Sequence, residues 1–216
     1  MVTAPPRIVT ISASYGAGGT VVAPAVAVRL QLPYLERLVS PRVARQASST
    51  EPGHDDPRRP EGVTRRLVAA LAALPAVFGT GLPVPVEGVS DEEQVRDDIE
   101  TSIRTVAETS GGVLLGRGAT LVLADTPGVF HVRLDGPPDR RIRQAMTVSG
   151  VDESEARKRQ HEIDGARTAY LQRFYDSDGS DPRLYHLVID STALTLATCE
   201  DLIVTAASTF WATAAT

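Results

Sequence analysis

Short aliphatic and β-branched runs alternate along the chain with longer stretches whose apolar positions recur every three or four residues. Arg7 to Ser12 (RIVTIS) reads as a strand, and an Ala-rich apolar helix follows it through about Leu30. Pro24 is tolerated only in a first turn, so the regular helix should begin near Thr20 or Val21, or kink. Leu32 to Leu35 predicts a second short strand, and a helix follows near Ser40 to Gln46. Ala47 to Gly62 is polar, carries three prolines and offers little to bury, which predicts a flexible loop. Helical spacing resumes over Val63 to Phe78 and breaks at Gly79 to Gly88. It returns after a capping box at Ser90 and Glu93, with Val95, Ile99, Ile103 and Val106 on one face.

The second half is more regular. Gly112 to Leu115 and Gly128 to Leu134 predict buried strands, and a short helix runs between them to Ala124. Pro137 to Ser149 is an Arg-rich helix, and Asp152 with Glu155 caps a long polar helix to about Phe174. Leu184 to Asp190 is the last strand, and Thr195 to Trp211 the last helix, with Cys199 on its apolar face. This alternation predicts an α/β fold, a mainly parallel sheet flanked by helices on both faces, which binds ligands beyond its strand C-termini. The Gly16 to Gly19 cluster, Gly116-Arg117 and Asp135 all fall at such ends.

Composition narrows the function. The 216 residues are 42% hydrophobic and 23% charged, with net charge −5, which excludes a chain disordered throughout. No apolar run reaches the ~18 residues of a membrane helix. Met1 to Pro6 lacks a secretory pattern, and the single Cys forms no internal disulfide, so a cytoplasmic protein is expected. The acidic balance argues against a nucleic-acid coat. The four His, at 54, 131, 161 and 186, show no metal-site spacing, and His131 reads as structural. Of 22 basic residues only Lys158 is Lys, so an anion here must be held by Arg, backbone N–H groups or metal.

Strand, glycine-rich turn and helix make the recipe for a phosphate site. Set on the P-loop pattern G-x-x-x-x-G-K-[ST], Ala13 stands for the first Gly, Gly18 fits the second, Gly19 replaces the Lys, and Thr20 supplies the hydroxyl that meets Mg²⁺. A tight strand–helix turn is the simpler alternative. Between Asp139 and Arg173 lie eight basic and six acidic residues. Pairs such as Glu153–Arg157 and Glu155–Arg159 suit a solvated face, while the group as a whole suits a lid closing over phosphates. Tyr170, Phe174 and Tyr175 read as hinge packing.

Taken in order, these motifs resemble the cytidylate kinase-like family. Ile8 to Ala23 resembles the family's opening, with its ISxxYGxGGxxxA pattern, and Leu32-Pro33-Tyr34-Leu35-Glu36-Arg37 resembles its second strand. VLLGRGA at Val113 to Ala119 resembles its GRxA segment, Asp164-x-x-Arg167-x-x-Tyr170 its lid end, and Asp181-Pro182-x-x-Tyr185 the stretch before its last strand. The resemblance implies a single domain with a core (7–35, 112–136, 183–213), a monophosphate-binding insert (36–111, with the flexible loop at 47–62) and an Arg-rich helical lid (137–182). It implies ATP and Mg²⁺, with CMP or a related monophosphate as acceptor. Ser14, Tyr15, Gly16, Ala17, Gly18, Gly19 and Thr20 would hold the donor phosphates, and Thr20 the metal. Arg37 and Arg117 would hold the acceptor, and Arg157, Arg159, Asp164 and Arg167 would act from the lid. Without the loop Lys, the alternative is a non-catalytic nucleotide sensor or partner-binding protein, with a homo-oligomer or protein partner open.

Overall fold

The computed structural model describes residues 6–35 and 92–214. The expectations placed on 36–91, namely Arg37, His54, the helices at 40–46 and 63–78, the loop at 47–62, the break at 79–88 and the Ser90 cap, lie outside them. Five strands form one parallel sheet: β1 (Ile8–Ala13), β2 (Tyr34–Leu35), β3 (Gly112–Leu115), β4 (Val129–Asp135) and β5 (Leu187–Asp190). The order is β2-β3-β1-β4-β5, so β1 is central and pairs with β3 on one side and β4 on the other. Successive connections therefore leave β1 in opposite directions, which opens a crevice beyond its C-terminus. Every β1 residue is buried, as its unbroken β-branched run requires.

The alternation of β1 builds two cores. Val9, Ile11 and Ala13 face helices α1 (Gly19–Leu30) and α6 (Leu196–Ala214), meeting Val22, Val26, Cys199, Ile203 and Trp211. Ile8 faces the other way, toward Ile99 and Ile103 of α2 (Glu92–Glu108) and Val122 of α3 (Ala119–Val122). Gly18 caps α1 and the helix begins at Gly19, so Pro24 lies in its second turn rather than its first. The carbonyl of Thr20 thereby loses its helical partner. The segment before β5 also differs from expectation: Pro182–Leu184 is a 3-10 turn capped by Asp181, and the strand starts only at Leu187.

Two further helices, α4 (Pro138–Ser149) and α5 (Glu153–Tyr175), form an antiparallel hairpin over the crevice. Asp152 caps α5 by accepting the Glu155 N–H at 2.8 Å. The i,i+4 pairs Glu153–Arg157 and Glu155–Arg159 form along α5, as their spacing suggests. A stripe of Ala156, Ile163, Arg167, Tyr170 and Leu171 is buried, and two of its members carry polar heads. Among the described residues no helix is long and apolar enough to cross a membrane.

A polar pocket sits inside the sheet. His131 Nδ1 lies 2.7 Å from Thr10 Oγ1, which lies 3.0 Å from Thr120 Oγ1, and the rings of His131 and His186 stack at 5.3 Å. Burial, with the neighbouring His186, pulls the His131 imidazole down to about 4. The unfolded chain therefore takes up a proton below about pH 6.5 that the folded chain refuses, so stability falls as pH drops from 6.5 toward 4. The loss should reach roughly 2–3 kcal/mol by pH 4. Urea unfolding at pH 7, 6 and 5 should show falling midpoints, and His131→Gln should flatten that trend.

Candidate functional site

The loop Ser14 to Thr20 crosses the crevice beyond β1. Gly16 and Gly18 have positive φ, 76° and 78°, which turns the chain sharply into α1. The loop is held from below: Ser14 N–H donates to Leu134 O at 3.2 Å, and Ser191 Oγ donates to Ala17 O at 2.8 Å. Among the described residues the amides of Gly16, Gly18, Gly19 and Thr20 find no protein acceptor. They border a cleft of about 40 Å³, roofed by Gln144, Ala145, Val148 and Ser149 of α4. That volume suits a few waters and is well short of a triphosphate. Side chains of α4 therefore lie close over these loop amides.

Tyr15 is the main contact between loop and hairpin. Its ring packs on Ala145 and Ile163. Its N–H donates to Asp164 Oδ1 at 2.9 Å, and its carbonyl accepts from Arg141 Nη1 at 2.8 Å. Burial raises the Tyr15 phenol above its ordinary value against the opposing pull of Arg159. The same Arg141 nitrogen reaches Asp164 Oδ2 at 2.7 Å, and its Nε donates to Gly136 O at 2.9 Å. Gly16 is pressed beneath α4, where a Cβ would stand 2.2 Å from the Arg141 carbonyl oxygen.

A second cavity, about 20 Å³, opens between the ends of β1 and β3, lined by Ser12, Arg117, Arg167, Leu171, Gly179 and Tyr185 among others. Gly116, Arg117 and Gly118 all have positive φ (72°, 56° and 68°), and the ring of Tyr175 lies against Gly118. Arg167 is 8% exposed and donates to Ser12 Oγ. Burial, then the like charge of Arg133, lowers its guanidinium below the ordinary value. Among the described residues Arg167 forms no ion pair with a carboxylate, whereas Arg133 is held by Asp135 at 2.6 Å. Burial pushes the Asp135 carboxyl up, but Arg133, the Gly136 N–H and the Ser14 hydroxyl outweigh it and hold it below the usual range.

The structure thus gathers Ser14 to Thr20, Asp164, Arg167 and Arg117 at the ends of β1 and β3. Arg159 pairs with Glu155 at 2.6 Å, near the Tyr15 hydroxyl. Arg157 stands on the outer face, 54% exposed, bonded to Glu153 and Asp139. Arg37 lies outside the described residues. Thr20 borders the first cleft, and among the described residues no group of three or more His, Cys, Asp or Glu could hold a metal ion. Sequence reasoning missed Arg141 and Ser191, whose partners are distant in the chain, and Arg133, which joins nearby Asp135 to distant Gly179. Only the position of Arg133 two residues before Asp135 on one strand face could have hinted at its pairing.

The sequence profile of the cytidylate kinase-like family matches residues 8–193. A uronate isomerase from Corynebacterium glutamicum is 30% identical over 98 residues, 45% of this chain, and the match spans only 19% of that relative. A solved structure of an uncharacterized protein from Eubacterium ventriosum aligns over 94% of this chain and 98% of its own, with a TM-score of 0.62 and 20% identity, a likeness of fold.

Gly16→Ala would combine an unfavourable left-handed φ with a clash against α4 backbone. It should destabilise the protein by at least about 1–2 kcal/mol. Hydrogen exchange should quicken in α4 more than in β1.

Proposed function

This chain belongs to the cytidylate kinase-like family, and on that premise we propose that it binds a nucleoside triphosphate at the loop and passes its γ-phosphoryl to a nucleoside monophosphate held over Arg117 and Arg167. The observation that carries this reading is Arg167: a buried guanidinium facing a cavity at the β1 end, with no carboxylate paired to it among the described residues. A protein that buries a cation in this way leaves it poised for an anionic ligand. The loop supports the donor side, because its amides are the donors that phosphates take at a helix start.

ATP is the donor proposed, and CMP or a related monophosphate the acceptor. Mg²⁺ would meet the Thr20 hydroxyl, with phosphates and water as its other ligands, since no acidic cluster among the described residues would hold it alone. When bound, it would neutralise phosphate charge. The chain's own work is positioning and exclusion of water: the loop fixes one partner, Arg117 and Arg167 the other, and the hairpin covers both. Gly19 at the Lys position favours a second reading, a nucleotide sensor that binds without transfer.

A coupled assay of ATP consumption over a panel of nucleoside monophosphates separates the two. The kinase reading expects turnover with a pyrimidine monophosphate; binding by calorimetry with no product across the panel would replace it with the sensor. Arg167→Ala should lower turnover by about 100-fold or more, on the scale of a lost transition-state donor, while changing the ATP KM far less. Unchanged turnover would refute the role given to Arg167.

A further inference from the structure

This inference rests on the nucleotide-binding reading and concerns the cation that position 19 lacks. The guanidinium that reaches the loop is that of Arg141, 7% exposed, on the first turn of α4. One of its nitrogens is shared between the Tyr15 carbonyl, at 2.8 Å, and Asp164 Oδ2, at 2.7 Å. The other oxygen of Asp164 accepts the Tyr15 N–H at 2.9 Å. A carboxylate from α5 therefore spans a loop amide and a buried guanidinium. Those are the two kinds of donor that a phosphate group takes. Asp135 Oδ1, 3.5 Å from Arg141 Nε, adds a second negative charge nearby. Gly16, with no Cβ, lets α4 backbone come close enough for Arg141 to reach.

We propose that Asp164 is an internal stand-in for phosphate. Its carboxylate closes the hairpin on the loop, and an entering polyphosphate displaces it, taking over the Tyr15 N–H and the Arg141 guanidinium. Arg141 then supplies the positive charge that Gly19 cannot. The loop cation arrives with the hairpin instead of being fixed on α1.

Calorimetry on the full chain with inorganic tripolyphosphate, and separately with ATP and Mg²⁺, tests this. Asp164→Asn keeps the shape and removes the competing charge, so tripolyphosphate should bind about tenfold or more tighter than to the unaltered chain. Arg141→Ala should weaken binding by about tenfold or more, and Arg141→Lys should recover part of it. A merely structural Asp164–Arg141 pair would make Asp164→Asn neutral or weaker, and that result in a folded variant, checked by circular dichroism, overturns the proposal. Tighter binding by Asp164→Asn carries it even where Arg141→Ala does not fold. Binding to the unaltered chain with unchanged affinity in both variants refutes this inference and leaves the nucleotide reading standing. No binding of either ligand to any folded form, Asp164→Asn included, refutes both.

Discussion

One buried guanidinium ties the upper half of the molecule together. Arg141 joins the turn after β4 (Gly136 O), the glycine loop (Tyr15 O) and α5 (Asp164). Removing a guanidinium from water is costly unless its donors are met, and here three partners meet them at 2.7 to 2.9 Å. The hairpin cannot drift by a fraction of an ångström without leaving some of those donors unmet. It has a closed arrangement, and any open one must provide Arg141 with water or another anion. The closeness of α4 to the loop depends in turn on Gly16, where any side chain would strike the Arg141 carbonyl.

The charges beyond β1 divide by what each is paired with. Arg133 is committed to Asp135 and to the Gly179 carbonyl, with Tyr185 against its face, and its role is to hold the 176–181 loop against the sheet. Arg157 and Arg159 sit in ion pairs along α5, which solvent screens. Arg167 differs from all of these in being buried and bonded to neutral Ser12, with Arg133 repelling it and Asp164 and Asp135 attracting it without a direct ion pair among the described residues. Holding a guanidinium in that setting carries a desolvation cost that the exposed pairs along α5 do not bear.

The centre of the sheet was legible in the sequence because β1, β3 and β4 are short, largely buried and apolar, so each stood out as a run between polar or glycine-rich breaks. The glycine loop was legible for a related reason: Gly16 and Gly18 sit where positive φ is needed, and the strand and helix around them frame the turn. Arg141 was not legible, because eight basic residues share the hairpin and local spacing ranks none above another. Its importance comes from Tyr15, 126 positions away. The buried stripe of α5 was hard to read for a physical reason. Counting apolar positions assumes that a buried stripe is apolar, and here Arg167 and Tyr170 fill part of it. Pairs such as His131 with His186, or Ser191 with Ala17, exist only once the sheet is assembled.

The position of the cation has a further consequence. A Lys on the first turn of α1 would give the loop permanent charge, whether or not the hairpin covered it. A guanidinium on α4 gives the loop that charge only when α4 is down. Under the proposed exchange, a ligand that draws Arg141 from Asp164 would also keep the hairpin closed, so charge neutralisation and exclusion of water become one event. A ligand too short to reach the Tyr15 amide would leave Asp164 in place and gain neither. In a chain almost without Lys, selectivity for the length of a polyphosphate would then follow from where one arginine is anchored, with no residue dedicated to measuring it.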